Sequence, residues 1–370
     1  MKALVLAGGT GARLRPFSYS VPKQLMPIVN RPLIEYVLDN VRALGIDEVG
    51  VIVGGTGPQI AGVLGDGTRF GVRITYLPQL EPKGLAHAVI VARDFLGDDD
   101  FVMYLGDNML PDGIARVAER FQEHRPAAQV VVHKVADPRS FGVVELDSTG
   151  QVTRMVEKPQ HPRSDLAIMG VYFFTKAIHA AVAAIRPSGR GELEITDAMQ
   201  WLLDAGEPVA AAEYDSYWGD LGSVEDVLEC NRRLLDGITR DVAVDVEDCE
   251  IIGPVVVEAG AKLRRSRIEG PTVVGADALI EDSHIGPYTT VGAGCVLRRT
   301  RVHNSVVLEG AAISGVDGLD GSLIGRSAVV APVDDSAGLR LVIGDHTRVG
   351  VTAAALAGSV PSLGRAKFHE

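Results

Sequence analysis

Short apolar runs alternate with amphipathic stretches over the first ~235 residues, the pattern of a parallel α/β sheet. Lys2–Ala7, Glu48–Val53, 72–76 and Phe101–Leu105 read as strands. Pro32 opens a helix that puts Ile34, Val37, Leu38, Val41 and Leu44 on one face and stops at Gly45. Residues 84–95, 113–124 and 191–203 are expected to be helices, and 130–135 and 208–212 strands. Gly142–Leu146 and 152–156 are expected to form a hairpin around Ser148-Thr149-Gly150.

After about residue 238 the helical periodicity ends, and small apolar residues recur every five or six positions. Val257, Val274, Val291 and Leu308 stand 17 apart, as do Leu263, Ile280 and Leu297, and Ile268, Ile285, Val302 and Leu319. Gly253/Gly270, Pro254/Pro271 and Gly275/Gly292 keep the same offset. Three rows at one period imply a triangular coil with one inward side chain per face, whose turns bury their apolar rows only by stacking. A β-sandwich also spaces its strands evenly, but gives no reason for three rows in one register. The rows resemble those of the hexapeptide left-handed β-helix. A boundary near 237 is expected, with an α/β domain over 1–237 and an all-β coil over 238–370; the register loosens after 310, and 331–370 is harder to place.

The chain has 370 residues and a formal charge of −12. That length and its 46% apolar content exclude a disordered polyelectrolyte and fit two or three domains. The acidic balance disfavours nucleic acid and anionic membrane as partners. The charge is unevenly spread, however. Residues 1–34 hold Lys2, Arg13, Arg15, Lys23 and Arg31 and no acid, which leaves −17 on the other 336. A basic segment in an acidic chain points to a local anion site. Cys230, Cys249 and Cys295 are few, odd in number and without CxxC spacing, against a disulfide framework or structural zinc. The opening apolar run is too short for a signal-peptide core, and no stretch nears the ~20 residues of a membrane span, so a cytoplasmic setting is expected.

The first strand runs into Gly8-Gly9-Thr10-Gly11-Ala12-Arg13-Leu14-Arg15-Pro16. Glycines after a strand let backbone N–H groups approach phosphate. The loop is not a Walker A motif, since no GK[ST] follows, and a dinucleotide GxGxxG would need glycine at Leu14. Two arginines within it, and Lys23 in Pro22-Lys23-Gln24-Leu25, suit a triphosphate whose charge grows during reaction. The run 101–105 delivers Asp107 at its C-terminal end, where open α/β sheets bind ligands, so Asp107 is a candidate magnesium ligand. Asp220, in Tyr217-Trp218-Gly219-Asp220-Leu221-Gly222, is the candidate second carboxylate. Each Asp taken alone suits a turn or helix cap better than a metal site. Glu157-Lys158-Pro159 could hold a sugar hydroxyl and a phosphate, or be a solvated strand end. Arg190, before Gly191-Glu192-Leu193-Glu194-Ile195-Thr196-Asp197, could face an anion or open a charged helix.

GGTGARLRP, PKQLMP, LGDN, FGVVE, EKP, GELEITD and WGDLG stand in the order found in sugar-1-phosphate nucleotidylyltransferases. Over essentially its whole length the chain resembles the long-form glucose-1-phosphate thymidylyltransferases. That resemblance implies a Rossmann-like catalytic domain with a mostly parallel sheet, followed by a left-handed parallel β-helix. It implies that Gly8, Gly9, Thr10 and Gly11 cradle the nucleotide with Gln24, and that Gln79, Gly84 and Leu85 lie against the base. Arg13 and Lys23 would meet the phosphates and the departing pyrophosphate, and Asp107 and Asp220 would hold Mg²⁺. Asn108, Gly142, Glu157 and Gly170 would border the sugar, and Lys158 and Arg190 would grip its phosphate. The implied reaction makes an NDP-sugar, dTDP-glucose foremost, by in-line attack of a sugar 1-phosphate on the α-phosphate of dTTP. Gly84-Leu85-Ala86-His87-Ala88 favours the thymidylyl branch. A modified hexose or cyclitol phosphate with an ADP or GDP product is the alternative. Two other classes of function stay open: CoA-dependent acyl transfer on the coil with His284 or His303 as base, and a non-catalytic regulatory module. A homo-oligomer is expected, with the coil as its scaffold.

Overall fold

Alternate residues of the first strand, β1 (Lys2–Ala7), feed two separate cores: Ala3, Val5 and Ala7 one, Leu4 and Leu6 the other. A strand buried on both faces must be apolar throughout, as this one is. The computed structural model describes residues 1–9, 11–242, 244 and 246–332, so Thr10 and the stretch from 333 to 370 lie outside the described residues. The chain divides into two compact units, Met1–Gly11 with Val21–Thr239, and Ala12–Ser20 with Arg240–Glu370.

In the first unit β1 is joined by β2 (Glu48–Val53), β3 (Arg73–Pro78), β4 (Phe101–Leu105), β5 (Ala128–Lys134), β6 (Gly142–Leu146), β7 (Val152–Glu157), β8 (Leu166–Phe174) and β9 (Val209–Glu213). The order is β9-β5-β8-β4-β1-β2-β3, with the β6–β7 hairpin branching from β8. Pairing is parallel among β4, β1, β2 and β3 and between β9 and β5, whereas β8 runs antiparallel to both its neighbours. Helices α1 (Leu33–Ala43), α2 (Gly57–Leu64), α3 (Leu85–Val91), α4 (Arg93–Leu96), α5 (Ala115–His124), α6 (Ile178–Ala184), α7 (Ile195–Asp204) and α8 (Val224–Leu235) complete the unit. One core packs Val37, Leu38 and Val41 of α1 and Phe121 of α5 against Val5 and Val102; the other packs Val89 of α3, Ile178 and Leu202 against Leu4 and Met103.

The expected helix over 84–95 is two helices meeting at Ala92, and α7 starts at Ile195 because Glu194 is still extended. The strand expected at 72–76 is shifted to 73–78. Strand β8 and helices α2, α6 and α8 have no counterpart in the sequence reading.

In the second unit the strands from Asp241–Val242 to Val329–Val330 form three parallel sheets of six, six and five strands. This is the stacked coil that the three apolar rows predict, a parallel β-helix consistent with the left-handed class. Val257, Leu263, Ile268, Val274, Ile280, Ile285, Val291, Leu297 and Val302 are all buried in one core. One row needs correction. Val291 pairs with Val307, not Leu308, and Leu297 with Ile313, a step of 16. The corner between Val302 and Val307 is one residue shorter than that between Ile285 and Val291, so Val307 takes the inward place. Ser266 and Ser283 stack at another corner, where the Ser283 N–H donates to Ser266 Oγ (3.1 Å) and the Thr300 N–H to Ser283 Oγ (3.2 Å). His284 sits 3.2 Å from Glu269 and His303 3.6 Å from Asp320, each beside an acid on the coil surface. Among the described residues no helix is long and apolar enough to cross a membrane.

Candidate active site

Asp107 follows β4 by two residues, and the sheet order places that end beside the end of β1, where Gly8 and Gly9 begin the phosphate-loop candidate. Lys23 joins them from a short 3-10 turn, Lys23–Leu25. Its ammonium, on a residue only 7% exposed, donates to Asp107 Oδ2 at 2.8 Å and to the Asp220 carbonyl at 2.6 Å. A buried ammonium needs such partners, since its desolvation is otherwise uncompensated. Asp220 is delivered by an antiparallel bridge between Met109 and Gly219, whose backbone hydrogen bonds measure 2.8 and 3.1 Å. The two expected carboxylate residues are thus drawn to one lysine.

The second oxygen of Asp107 is also engaged. Asn108 donates from Nδ2 to Asp107 Oδ1 (3.0 Å) and accepts the Trp218 indole N–H at Oδ1 (2.6 Å). Trp218 is wedged edge-on between Phe141 and His133, with ring centroids 5.2 and 6.0 Å away. Asn108, expected to meet a sugar hydroxyl, therefore also holds the carboxylate in place. Gly170 is required beside it, because a Cβ there would lie 2.8 Å from Asn108 Nδ2 and 2.6 Å from Leu105 Cγ.

Gln24 is 1% exposed, and its Oε1 is buried without a hydrogen-bond partner. A Cβ built on Gly9 would stand 3.6 Å from Gln24 Nε2, so this amide lies against the glycine loop. Gln79, just past β3, lies on the other side, with Oε1 3.7 Å from the corresponding position on Gly8. Its Nε2 donates to the Gly84 carbonyl (3.3 Å) and lies 2.9 Å from His87 Nδ1. Gly84 precedes Leu85, the first residue of α3, at φ +100°, and a Cβ there would fall 2.5 Å from the Leu193 carbonyl oxygen. Gly84→Ala is therefore expected to cost about 2–4 kcal/mol of stability, from a strained φ and a backbone clash together, as read by urea unfolding.

A second cluster surrounds Glu157 at the end of β7. Glu157 Oε2 accepts from the Thr196 hydroxyl (3.0 Å), and Oε1 lies 3.3 Å from Arg190 and 3.5 Å from Lys158. Gly142 faces Glu157 across the β6–β7 hairpin. A cavity of about 600 Å³ is lined by Glu157, Arg190, Glu194, Asp197, Arg154 and Gln200, among others. Burial pushes the Glu194 and Asp197 carboxyls above their ordinary range. Glu194 and Asp197 as cavity residues, and Thr196 as the donor to Glu157, were not singled out from the sequence, although all three lie in the GELEITD run. Nor was the partnership of His87 with Gln79. Arg13 lies exposed in a 3-10 turn, Ala12–Leu14, within the second unit.

The family profile described as Nucleotidyl transferase matches residues 2–237. The chain is 50% identical over 356 residues to a glucose-1-phosphate thymidylyltransferase of Streptomyces griseus, covering 95% of this chain and all of that one. It is 48% identical over 354 residues to another, from Streptomyces antibioticus, covering 95% and 99%. A Bacillus anthracis chain assigned as a glucose-1-phosphate thymidylyltransferase, crystallised with sucrose, is 33% identical, with a TM-score of 0.60 over 65% of this chain and 98% of its own. The chain belongs to the nucleotidyl transferase family and is an enzyme of nucleotidyl transfer.

Proposed function

We propose that this enzyme transfers the thymidylyl group of dTTP to glucose 1-phosphate, forming dTDP-glucose and pyrophosphate. The observation that carries the reading is the convergence of Lys23, Asp107 and Asp220 beside the glycine loop. A phosphate oxygen of the sugar phosphate forms a bond to the α-phosphorus while the bond from that phosphorus to the bridging oxygen of the β-phosphate breaks. The leaving electron pair goes to pyrophosphate. The nucleophile is ionised at neutral pH, so the protein supplies alignment and charge neutralisation rather than a general base.

Each residue then has a physical task. The loop from Gly8 to Gly11 presents backbone N–H groups to the nucleotide phosphates. The orphaned Gln24 Oε1 offers a buried acceptor for a nucleotide hydroxyl, which would satisfy it. Arg13, two residues beyond Gly11, and Lys23 counter the negative charge that grows on the departing pyrophosphate. Glu157 accepts from sugar hydroxyls and holds Lys158 and Arg190 within reach of the sugar phosphate. Nucleotidyltransferases of this family are generally metal-dependent. The Asp107 carboxylate, with Asp220 brought to the same lysine through its backbone carbonyl, suits Mg²⁺, which takes one or two carboxylates and completes its shell with phosphate and water. Held by Asp107 and Asp220, Mg²⁺ would offset the charge of the α-phosphate.

A pyrophosphate-release matrix of five nucleoside triphosphates against hexose and cyclitol 1-phosphates tests the substrate pair. The expected result is that dTTP with glucose 1-phosphate leads every other pair by at least about tenfold in kcat/KM, a difference near 1.4 kcal/mol. A lead by a cyclitol phosphate, or by a purine triphosphate, would replace this reading.

A further inference from the structure

Glu194, only 4% exposed, is a buried carboxylate that the transfer chemistry leaves without a task. A buried acid needs donors, since its desolvation is otherwise uncompensated. Its partner is the Ser188 hydroxyl, which donates to Oε1 at 2.8 Å. The same hydroxyl oxygen accepts the Arg190 backbone N–H at 3.1 Å. An ionised carboxylate can only accept, so the one hydroxyl hydrogen goes to Glu194 and a lone pair is left for Arg190. Ser188 and Gly191 are the ends of a turn with Arg190 inside it. The Gly191 N–H closes that turn on the Ser188 carbonyl, and the Ser188 N–H binds the Glu192 carbonyl, both at 2.8 Å. These backbone bonds close the turn on itself, whereas the Ser188–Glu194 bond ties it to the start of α7. Glu194 is firmly rooted there: it directly precedes Ile195, and its carbonyl accepts the Ala198 N–H at 3.3 Å.

We propose that Glu194 is a positioning residue for the sugar phosphate: through the Ser188 hydroxyl it anchors the turn that carries Arg190, and so sets where the guanidinium meets the phosphate. The proposal rests on the reading that Arg190 grips that phosphate. Glu157 and Glu192 hold the guanidinium by its tip, at 3.3 Å each, whereas Glu194 holds the backbone beneath it and stands 3.8 Å from the tip. An anion beside the site repels phosphate, so its place is explained by the arginine and not by the substrate. Burial pushes the Glu194 carboxyl up, and the Ser188 hydroxyl is the strongest of the groups that draw it back, ahead of Arg190 itself. The serine bond is therefore the main tie of this acid to the turn, and the direct ion pair the lesser one. Holding a long, exposed side chain by its backbone lowers the entropy lost when the phosphate is bound.

The test sets KM for glucose 1-phosphate against KM for dTTP and kcat, in the full-length enzyme. Ser188→Ala and Glu194→Ala are each expected to raise the first about three- to tenfold, the worth of one hydrogen bond, while the other two move by less than about twofold. The double variant is expected to be no worse than the worse single one, because both remove the same bond. Glu194→Gln, whose amide oxygen still accepts from Ser188, is expected to recover most of what Glu194→Ala loses. In an Arg190→Ala background, where KM for the sugar phosphate is already raised, adding Ser188→Ala is expected to change it by less than about twofold, since the turn then carries nothing to place. A purely structural role would move both KM values and kcat together and would persist in that background. Either of those results overturns the role of Glu194 while leaving the reading of Arg190 intact. A KM for glucose 1-phosphate unchanged by Arg190→Ala alone would overturn the reading of Arg190 itself. Should Glu194→Ala not fold, Ser188→Ala decides, and a KM that it leaves unmoved overturns the proposal.

Discussion

Replacing Lys23 with Met is expected to lower kcat/KM by about 10³-fold, as measured by pyrophosphate release under saturating Mg²⁺. The ammonium is the shared partner of Asp107 Oδ2 and the Asp220 carbonyl, at 2.8 and 2.6 Å, and is almost wholly buried. Met fills a similar volume, so packing is largely kept while two charge-assisted hydrogen bonds and one positive charge are lost. The change removes a direct counter-charge to the triphosphate and lets Asp107 and the segment around Asp220 drift apart. Loss of the charge-assisted hydrogen bond to the half-buried Asp220 carbonyl is expected to cost about 1–3 kcal/mol of stability as well, visible in denaturant unfolding. Turnover within a few-fold of the parent enzyme would show that Lys23 only ties the fold together.

The second large effect is expected from Asp107→Asn, with kcat lowered about 10²- to 10³-fold. The carboxylate now accepts from Lys23 on one oxygen and from Asn108 on the other. An amide has one acceptor atom, so its NH₂ end must face either the Lys23 ammonium or the Asn108 NH₂, donor against donor. The variant therefore loses the negative charge that Mg²⁺ needs and disturbs the Trp218–Asn108–Asp107 chain. The Mg²⁺ concentration for half-maximal rate is expected to rise in parallel. An unchanged Mg²⁺ requirement with near-normal turnover would remove Asp107 from the metal site.

The strands and the coil were legible from the chain because their signals are local. Lys2–Ala7, Glu48–Val53 and Phe101–Leu105 lie where the apolar runs put them, and a 17-residue period can come only from stacking. Strand β8 was missed because LAIMGVYFF, nine consecutive buried residues around a glycine, has neither alternation nor a helical face. Helix α8 opens with the capping box Ser223–Asp226, a signal present in the sequence but masked by the charge on its exposed face. The site divides in the same way. Lys23, Asp107 and Asp220 could be singled out one by one, each at the end of a motif. Their joining spans 84 and 197 residues of sequence, and Trp218 reaches Asn108 across 110. Contacts of that range follow from the sheet order, which no local pattern encodes. The slipped row at Val307 failed for a different reason: a corner shortened by one residue keeps the composition of the repeat while moving its register.

The long reach of Lys23 also sets a timetable for synthesis. The residue whose carbonyl it binds is added 197 positions later, about 10–40 s of elongation at ordinary ribosomal rates. Until that carbonyl arrives, the lysine and Asp107 face each other without the third member. A nascent chain stopped just short of residue 220 already holds every strand of the sheet but lacks the carbonyl that completes the charge cluster.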